Sequence, residues 1–347
     1  MIHHPFLKLV IYVAIIEFSL IVVSICCFFL LHIFFDKRKE QEKKRREAFR
    51  NSIIKLWENK KSFSSKSFIK NKMNPEHILE EIEHVDINLS GEKWNKLKEE
   101  IITTSLLPLA KKWYEKKDWM KRNFSVRCFQ LLSRKEDEKY FFRFLKDTIP
   151  LIRMIAAKGA VAIGSSKLLK TLFFVMSKER DRGRYAYRDA ILSGDISIFS
   201  WIREQLKMEK DSAIRSIYLD ILSTRYDSYV VPYVIEDLSS SNEKTRWNAV
   251  KILSHFPSKE VLSLLLPHLK DSYEMVRAEV IQALPNLMEE EALSYLEESL
   301  TDNVWWVRLQ AGLVLKKYGD VGRKILEEQS QKTGKIKEVV EYVLSLP

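Results

Sequence analysis

Asp271-Ser-Tyr-Glu-Met-Val-Arg277 and Asp302-Asn-Val-Trp-Trp-Val-Arg308 each hold an aspartate and an arginine six residues apart, and the second copy starts 31 residues after the first. Outward from this pair, Arg153, Arg184, Arg215, Arg246, Arg277 and Arg308 all fall on the 31-residue interval. A fixed period of roughly 20–50 residues marks a chain built of stacked units. After each arginine an apolar residue follows seven positions on, at Leu222, Leu253, Leu284 and Leu315, with Ala249, Ala283 and Ala311 between. Spacings of three, four and seven place such residues on one helix face.

Upstream, Val231, Leu262 and Leu293 keep the same 31-residue interval, as do Leu238, Leu269 and Leu300. One unit is therefore a helix, a short polar turn and a second helix. Neither helix buries its apolar stripe alone, and stacking of neighbours does so. Asp147 and Arg153 repeat the six-residue gap. Val126-Arg127, 26 residues before Arg153, reads as a shortened copy, and Ile336-Lys337 as a last one. About eight helix pairs then fill residues 105–347, with a capping helix over 91–104 that Ser90 would start.

This pattern resembles HEAT repeats, including the short kind first associated with phycobilisome lyases. The resemblance implies an all-α, right-handed solenoid. It also implies that Asp147/Arg153, Asp271/Arg277 and Asp302/Arg308 form a ladder of charge-assisted hydrogen bonds between repeats. Three repeats depart from it: Lys178, Glu209 and Ser240 stand where the aspartate would be, with Asp181, Asp211 and Asn242 close by.

Residues 9–35 form a 27-residue run with one charge, Glu17. At about 1.5 Å per residue this exceeds the ~30 Å hydrocarbon core of a bilayer. No small-residue cleavage site follows it, so a retained span is expected rather than a signal peptide. Lys37, Arg38, Lys39, Lys43, Lys44, Arg45 and Arg46 follow the run, against Lys8 alone before it. The Lys/Arg-rich flank stays inside. The expected layout is a short external segment (residues 1–8), a transmembrane helix (9–35), a basic juxtamembrane helix and linker (36–89) and a cytoplasmic solenoid (90–347). The localisation expected is a plasma (inner) membrane crossed once.

The net charge of +11 sits in one place. Residues 147–347 hold 28 basic and 28 acidic residues, whereas 36–146 hold 29 basic and 18 acidic. Basic residues beside a membrane gain about 1 kcal/mol each from anionic lipid. Anionic lipid is accordingly expected near residues 37–72, where the bland alternative is a plain stop-transfer flank. A neutral solenoid lacks the basic stripe of a nucleic-acid surface. Within 36–72, Ile53, Ile54 and Trp57 continue a helical pattern, and 62–67 and 71–75 read as a break. Residues 76–89 read as a solvated acidic helix, where His77 and His84 are seven apart.

No phosphate-binding glycine loop, Cys-x-x-Cys or His-Glu metal pair occurs. A hydroxylase type that resembles HEAT solenoids carries di-iron on such pairs, so that activity is not implied, and no catalytic residue, cofactor or metal is expected. Three cysteines, only Cys128 outside the apolar run, suit a reducing compartment. Aromatic residues gather beside the repeat arginines, and Tyr218, Arg246, Trp247, Trp305 and Trp306 are the candidate partner-binding residues. Core packing is the competing reading for the aromatics, and a structural role for the arginines. The function expected is a membrane-anchored scaffold for a protein partner. Membrane HEAT proteins of this layout resemble accessory subunits of envelope or polysaccharide-synthesis machinery. A lyase-like or enzyme-maturation role stays open, as does a sensor using Glu17, Cys26 and Cys27 in the span.

Overall fold

A computed structural model describes residues 4–58, 73–225, 227–286 and 289–347. All regular structure among them is helical. The chain divides into two compact units, Met1–Leu132 and Ser133–Pro347. The division falls inside the stretch 90–347 expected as one solenoid.

The first unit is built on α1 (His4–Glu58), a single helix of 55 residues. The apolar run and the basic flank are therefore one continuous rod. Within it, Ile16–Glu58 contains a window long and apolar enough to cross a membrane, with none of that window buried. Side chains from Phe18 to Phe35 are exposed on every face. The character of the helix changes at its far end, where Phe49 and Ile53 are buried. They pack toward α2 (Pro75–Asp86) and α3 (Glu92–Ser105). Asn74 caps α2 by accepting a hydrogen bond from the Glu76 amide, and Pro75 supplies the first helical residue. Leu79, Ile82 and Val85 form its buried stripe. The break expected at 62–67 lies outside the described residues. Ser90 does not cap α3: Gly91 does, with a φ of 95° that a side chain would strain. The unit closes with α4 (Leu107–Trp113) and α5 (Trp119–Leu132).

The second unit holds seven consecutive helix pairs among its described residues. These are α6 (Glu138–Phe144) with α7 (Pro150–Ile163), α8 (Ser166–Lys178) with α9 (Asp181–Leu192), and α10 (Ser197–Leu206) with α11 (Ser212–Leu222). Next come α12 (Val231–Val234) with α13 (Glu243–Leu253), α14 (Lys259–Leu265) with α15 (Glu274–Ala283), α16 (Glu289–Ser299) with α17 (Trp305–Lys316), and α18 (Gly319–Ser330) with α19 (Lys335–Ser345). Helices α12 and α14 tighten into 3-10 turns, Ile235–Ser239 and Leu266–Lys270. Second helices touch the second helices of their neighbours, α11 on α13, α13 on α15 and α15 on α17. This places the repeat positions in register. Three residues after the arginines stand Tyr187, Tyr218, Ala249, Val280 and Ala311, all at most 2% exposed. Seven after stand Leu222, Leu253, Leu284 and Leu315, all at most 1% exposed.

One close approach sets the angle of α18. A Cβ on Gly322 would lie 1.8 Å from the Leu315 carbonyl oxygen, a backbone atom that no rotamer change can move. Gly322→Ala should therefore cost about 3 kcal/mol, the upper end for overpacking. Urea unfolding followed by tryptophan fluorescence checks this, and an unchanged midpoint would contradict the packing described.

Candidate functional site

The repeat arginines do not project from the surface. Each of five donates an Nη1 hydrogen bond to the backbone carbonyl six residues earlier. The pairs are Arg153 to Asp147 (2.8 Å), Arg215 to Glu209 (3.1 Å), Arg246 to Ser240 (2.8 Å), Arg277 to Asp271 (2.7 Å) and Arg308 to Asp302 (2.7 Å). That bond closes the turn ahead of the second helix. The other edge of the guanidinium reaches the next repeat. Arg246 donates to both carboxylate oxygens of Asp271, at 2.7 Å each, and Arg277 to those of Asp302, at 2.7 and 2.9 Å. The aspartate also accepts from the backbone at its own helix start, Tyr273 N to Asp271 and Val304 N to Asp302, both 2.8 Å. One side chain thus fixes the turn that leads into its own helix and holds the preceding repeat.

Where the aspartate is missing, two of the arginines find another acid. Arg153 takes Glu179, one residue beyond Lys178, and Tyr187 joins them at 3.1 Å from Glu179. Burial pushes the Tyr187 hydroxyl up to about 12. Arg215 takes Asp237 and Glu236 from the 3-10 turn. Burial raises the pKa of Asp237 despite that partner. Asp211 and Asn242 serve as helix caps instead, accepting from Ala213 and Ile214 and from Lys244 and Thr245. Arg184 donates to the Glu179 and Ser177 carbonyls, and the side chain of Asp181 lies outside the described residues. Arg308 is 3% exposed, and its Nε has no hydrogen-bond partner among the described residues.

The first unit corrects the expected shortened repeat. Arg127 is not a ladder arginine: its Nε donates to Glu83 at 2.8 Å, and its Nη atoms reach Glu76 and Glu83, on α2. The ladder bond is made by Arg122, whose Nη1 donates to the Lys116 and Lys117 carbonyls, at 2.8 Å each. Arg122 stands 31 residues before Arg153, so the interval was legible without any shortening.

Helix α2 is likewise not a solvated acidic helix. Glu81 is 1% exposed and accepts from Arg46 Nε and Arg50 Nε, each at 2.7 Å. Glu80 pairs with Arg46 at 2.8 Å, and His77 with Glu42 at 2.7 Å. Glu80 and Glu81 face α1, while Glu76 and Glu83, seven apart, face α5. Each carboxylate thereby has an arginine. Arg46 therefore turns from the proposed lipid-facing set toward α2. Lys37, Arg38, Lys39, Lys43, Lys44 and Arg45 remain exposed.

Of the candidate partner-binding residues, Tyr218 is core: it is 2% exposed, with its ring edge-on to Phe173 at 4.8 Å. It sits three positions after Arg215, which the helical period turns inward. Arg246 belongs to the ladder. Trp247 lies one position after its arginine, on the open face, and donates to Glu279 at 3.0 Å. Trp305 and Trp306 are 44% and 42% exposed, with Tyr342 6.1 Å from Trp305. The open side of the second helices in the second unit thus carries Tyr185, Trp305 and Trp306 in water, while Phe174, Tyr229 and Tyr233 are exposed on or beside the first helices. A groove of about 400 Å³ lies on it between Tyr185 and Trp247. A larger cavity of about 660 Å³ runs along the ladder turns, where Asp271, Arg277 and Asp302 already bind one another. Cys128 is buried, which pushes its thiol well above the usual range and leaves it a poor nucleophile.

Stacked helix pairs with an internal arginine ladder and an aromatic outer face define an α-solenoid of the protein-interaction class. Residues 231–316 match the family model of HEAT repeats, and this part of the chain is built of HEAT repeats. No curated protein matches the sequence significantly. Among solved structures, the chain is similar to the YibA protein of E. coli at 18% identity, over 74% of this chain and 99% of that one, with a TM-score of 0.41. An engineered protein follows at 14% identity, 87% and 95% coverage and a TM-score of 0.35. Human deoxyhypusine hydroxylase follows at 13% identity, 86% and 96% coverage and a TM-score of 0.29. No activity is carried over from any of them.

Proposed function

We propose that this protein is a membrane-anchored, non-enzymatic scaffold that holds a protein partner on the open second-helix face of its second unit. The observation that carries the reading is the division of labour on those helices. The repeat arginines are spent on the fold, while Tyr185, Trp305 and Trp306 stay in water and Trp247 is half-buried beside Glu279. Exposed aromatic clusters are the usual anchors of protein interfaces. The anchor is residues 9–35 of α1, because an apolar helix whose side chains from Ile16 to Phe35 are exposed on every face suits lipid. The six exposed cations from Lys37 to Arg45 then meet anionic headgroups on the inner side, and the second unit is cytoplasmic. A membrane enzyme of envelope or polysaccharide synthesis is the partner class that the overall layout suggests.

Affinity capture of the full-length protein from mildly solubilised membranes, beside a Trp247→Ala/Trp306→Ala variant, tests this. Near-stoichiometric capture that falls at least about tenfold in the variant is the expected result. Equal capture by both would remove the second-helix face from the reading. An empty capture by the unmodified protein would overturn the scaffold itself.

A further inference from the structure

One register position explains the groove between Tyr185 and Trp247. The residue after the repeat arginine is Tyr185 on α9, Ser216 on α11 and Trp247 on α13. A large, a small and a large side chain in three successive repeats leave a trough one repeat wide. With neighbouring helices about 8–10 Å apart, the two walls stand on axes about 20 Å from each other. Tyr185 is 63% exposed, so its ring is a wall and not part of the core. The floor is fixed: Asn248 Nδ2 donates to the Ser216 carbonyl at 3.1 Å, tying α13 to α11.

The charge of the trough differs from that of its surroundings. Arg184, Arg188, Lys244 and Lys251 line it, against a single carboxylate, Asp220. Arg188 holds that carboxylate at 2.9 Å. Lys251 lies 6.0 Å over the Trp247 ring. The adjoining hollow adds one acid, Glu243, beside the same Arg184 and Lys244. Glu279, bonded to Trp247, sits at the far side of that wall. Four cations against one acid in the lining, with Glu243 and Glu279 beside it, stand out in a region whose basic and acidic residues balance at 28 each.

We infer that the Tyr185–Trp247 trough seats an acidic linear segment of the partner, with one large apolar side chain over Ser216 and carboxylates facing Lys244, Lys251 and the arginines. This rests on the scaffold reading and specifies the chemistry of its partner. Aromatic walls supply the apolar contact, and the cations supply selection against basic segments.

The test uses the full-length protein in detergent and a fluorescein-labelled 12-residue peptide of glutamates around a central phenylalanine. A second peptide carries lysine at every glutamate. Fluorescence anisotropy should show binding of the glutamate peptide that weakens as salt rises, and at least tenfold weaker binding of the lysine peptide. Lys244→Glu/Lys251→Glu should weaken the glutamate peptide about tenfold, equivalent to 1.4 kcal/mol, with an unchanged circular dichroism spectrum. Lys43→Glu/Lys44→Glu on α1 should leave its binding within twofold. Equal binding of the two peptides overturns the inference. So does retained binding by the groove variant, or loss confined to the α1 variant. In each of these cases membrane capture by the unmodified protein still reports separately on the scaffold.

Discussion

Replacing Arg277 by alanine should destabilise the second unit by about 2 to 3 kcal/mol, somewhat less than when one member of a fully buried ion pair is removed, because the pair is partly open to water. Four bonds go at once: two to the Asp302 carboxylate and one each to the Asp271 and Ser272 carbonyls. Asp302 is then left 14% exposed with its charge uncompensated, although it keeps the Val304 amide. Arg308 occupies the same register yet should behave differently. It makes carbonyl bonds only, to Asp302 and Asn303, and Thr333 stands where the next aspartate would be. Arg308→Met keeps the stem and removes a charge with no carboxylate among its described partners, and should cost about 1 kcal/mol or less. Urea unfolding of both variants decides the matter. Equal losses would mean that the inter-repeat carboxylate contributes nothing.

Glu81→Ala should loosen the first unit by about 2 to 3 kcal/mol, somewhat less because Arg46 and Arg50 each keep a third of their side chains in water. The effect is local and should appear as faster hydrogen exchange across residues 46–58 and 75–86, with the second unit unaffected. The same group predicts an acid response. Burial alone would raise the pKa of Glu81, but hydrogen bonds from Arg50 and Arg46 outweigh it and hold the carboxyl below its ordinary value of 4.5. Its folded pKa being depressed, its contribution is complete above pH 4.5 and drains as pH falls through the lower folded value. Asp271, lowered from 3.8 against its own burial by Arg246 and the Tyr273 amide, follows at slightly lower pH. Unfolding profiles between pH 6 and 3 should therefore be flat first and then steep, and Glu81→Gln should flatten the early part of the loss. An unchanged profile in that variant would contradict the assignment.

The fold was legible because its governing signal is periodic. Arginines at 31-residue steps and leucines seven positions later specify which helix face is internal, and the helices follow. Arg122 escaped notice because no aspartate stands six residues before it: Lys116 does, and the ladder bond there uses only its carbonyl. The substitutes Glu179 and Asp237 were similarly hidden, since their role depends on where a turn places a carboxylate and not on its spacing. Tyr218 was misread as surface because aromatic content carries no direction until the repeat register is applied. The trough at Ser216 left no local trace, as a serine signals nothing until its neighbours one repeat away prove to be tyrosine and tryptophan. The pairing of α2 with α1 is a tertiary fact, joining Arg46 and Glu81 across 35 residues.

The dual use of Asp271 and Asp302 gives the array a polarity. Every described bond from a repeat arginine to an inter-repeat carboxylate runs to an acid later in the chain, so Arg153, Arg215, Arg246 and Arg277 are each clasped by the repeat that follows. No carboxylate among the described residues clasps Arg308 in this way. The pair after it is fastened by apolar side chains, Val339, Val340 and Val343, by Lys316, whose ammonium binds the carbonyls of Val343, Leu346 and Pro347, and by the Gln329 amide, which donates to Glu297. Because stability in such arrays passes between neighbours, opening should begin at α18 and α19 and travel backward one clasp at a time. The trough at Ser216 lies four repeats inward from that front. A partner seated there would keep its platform while the far pair breathes.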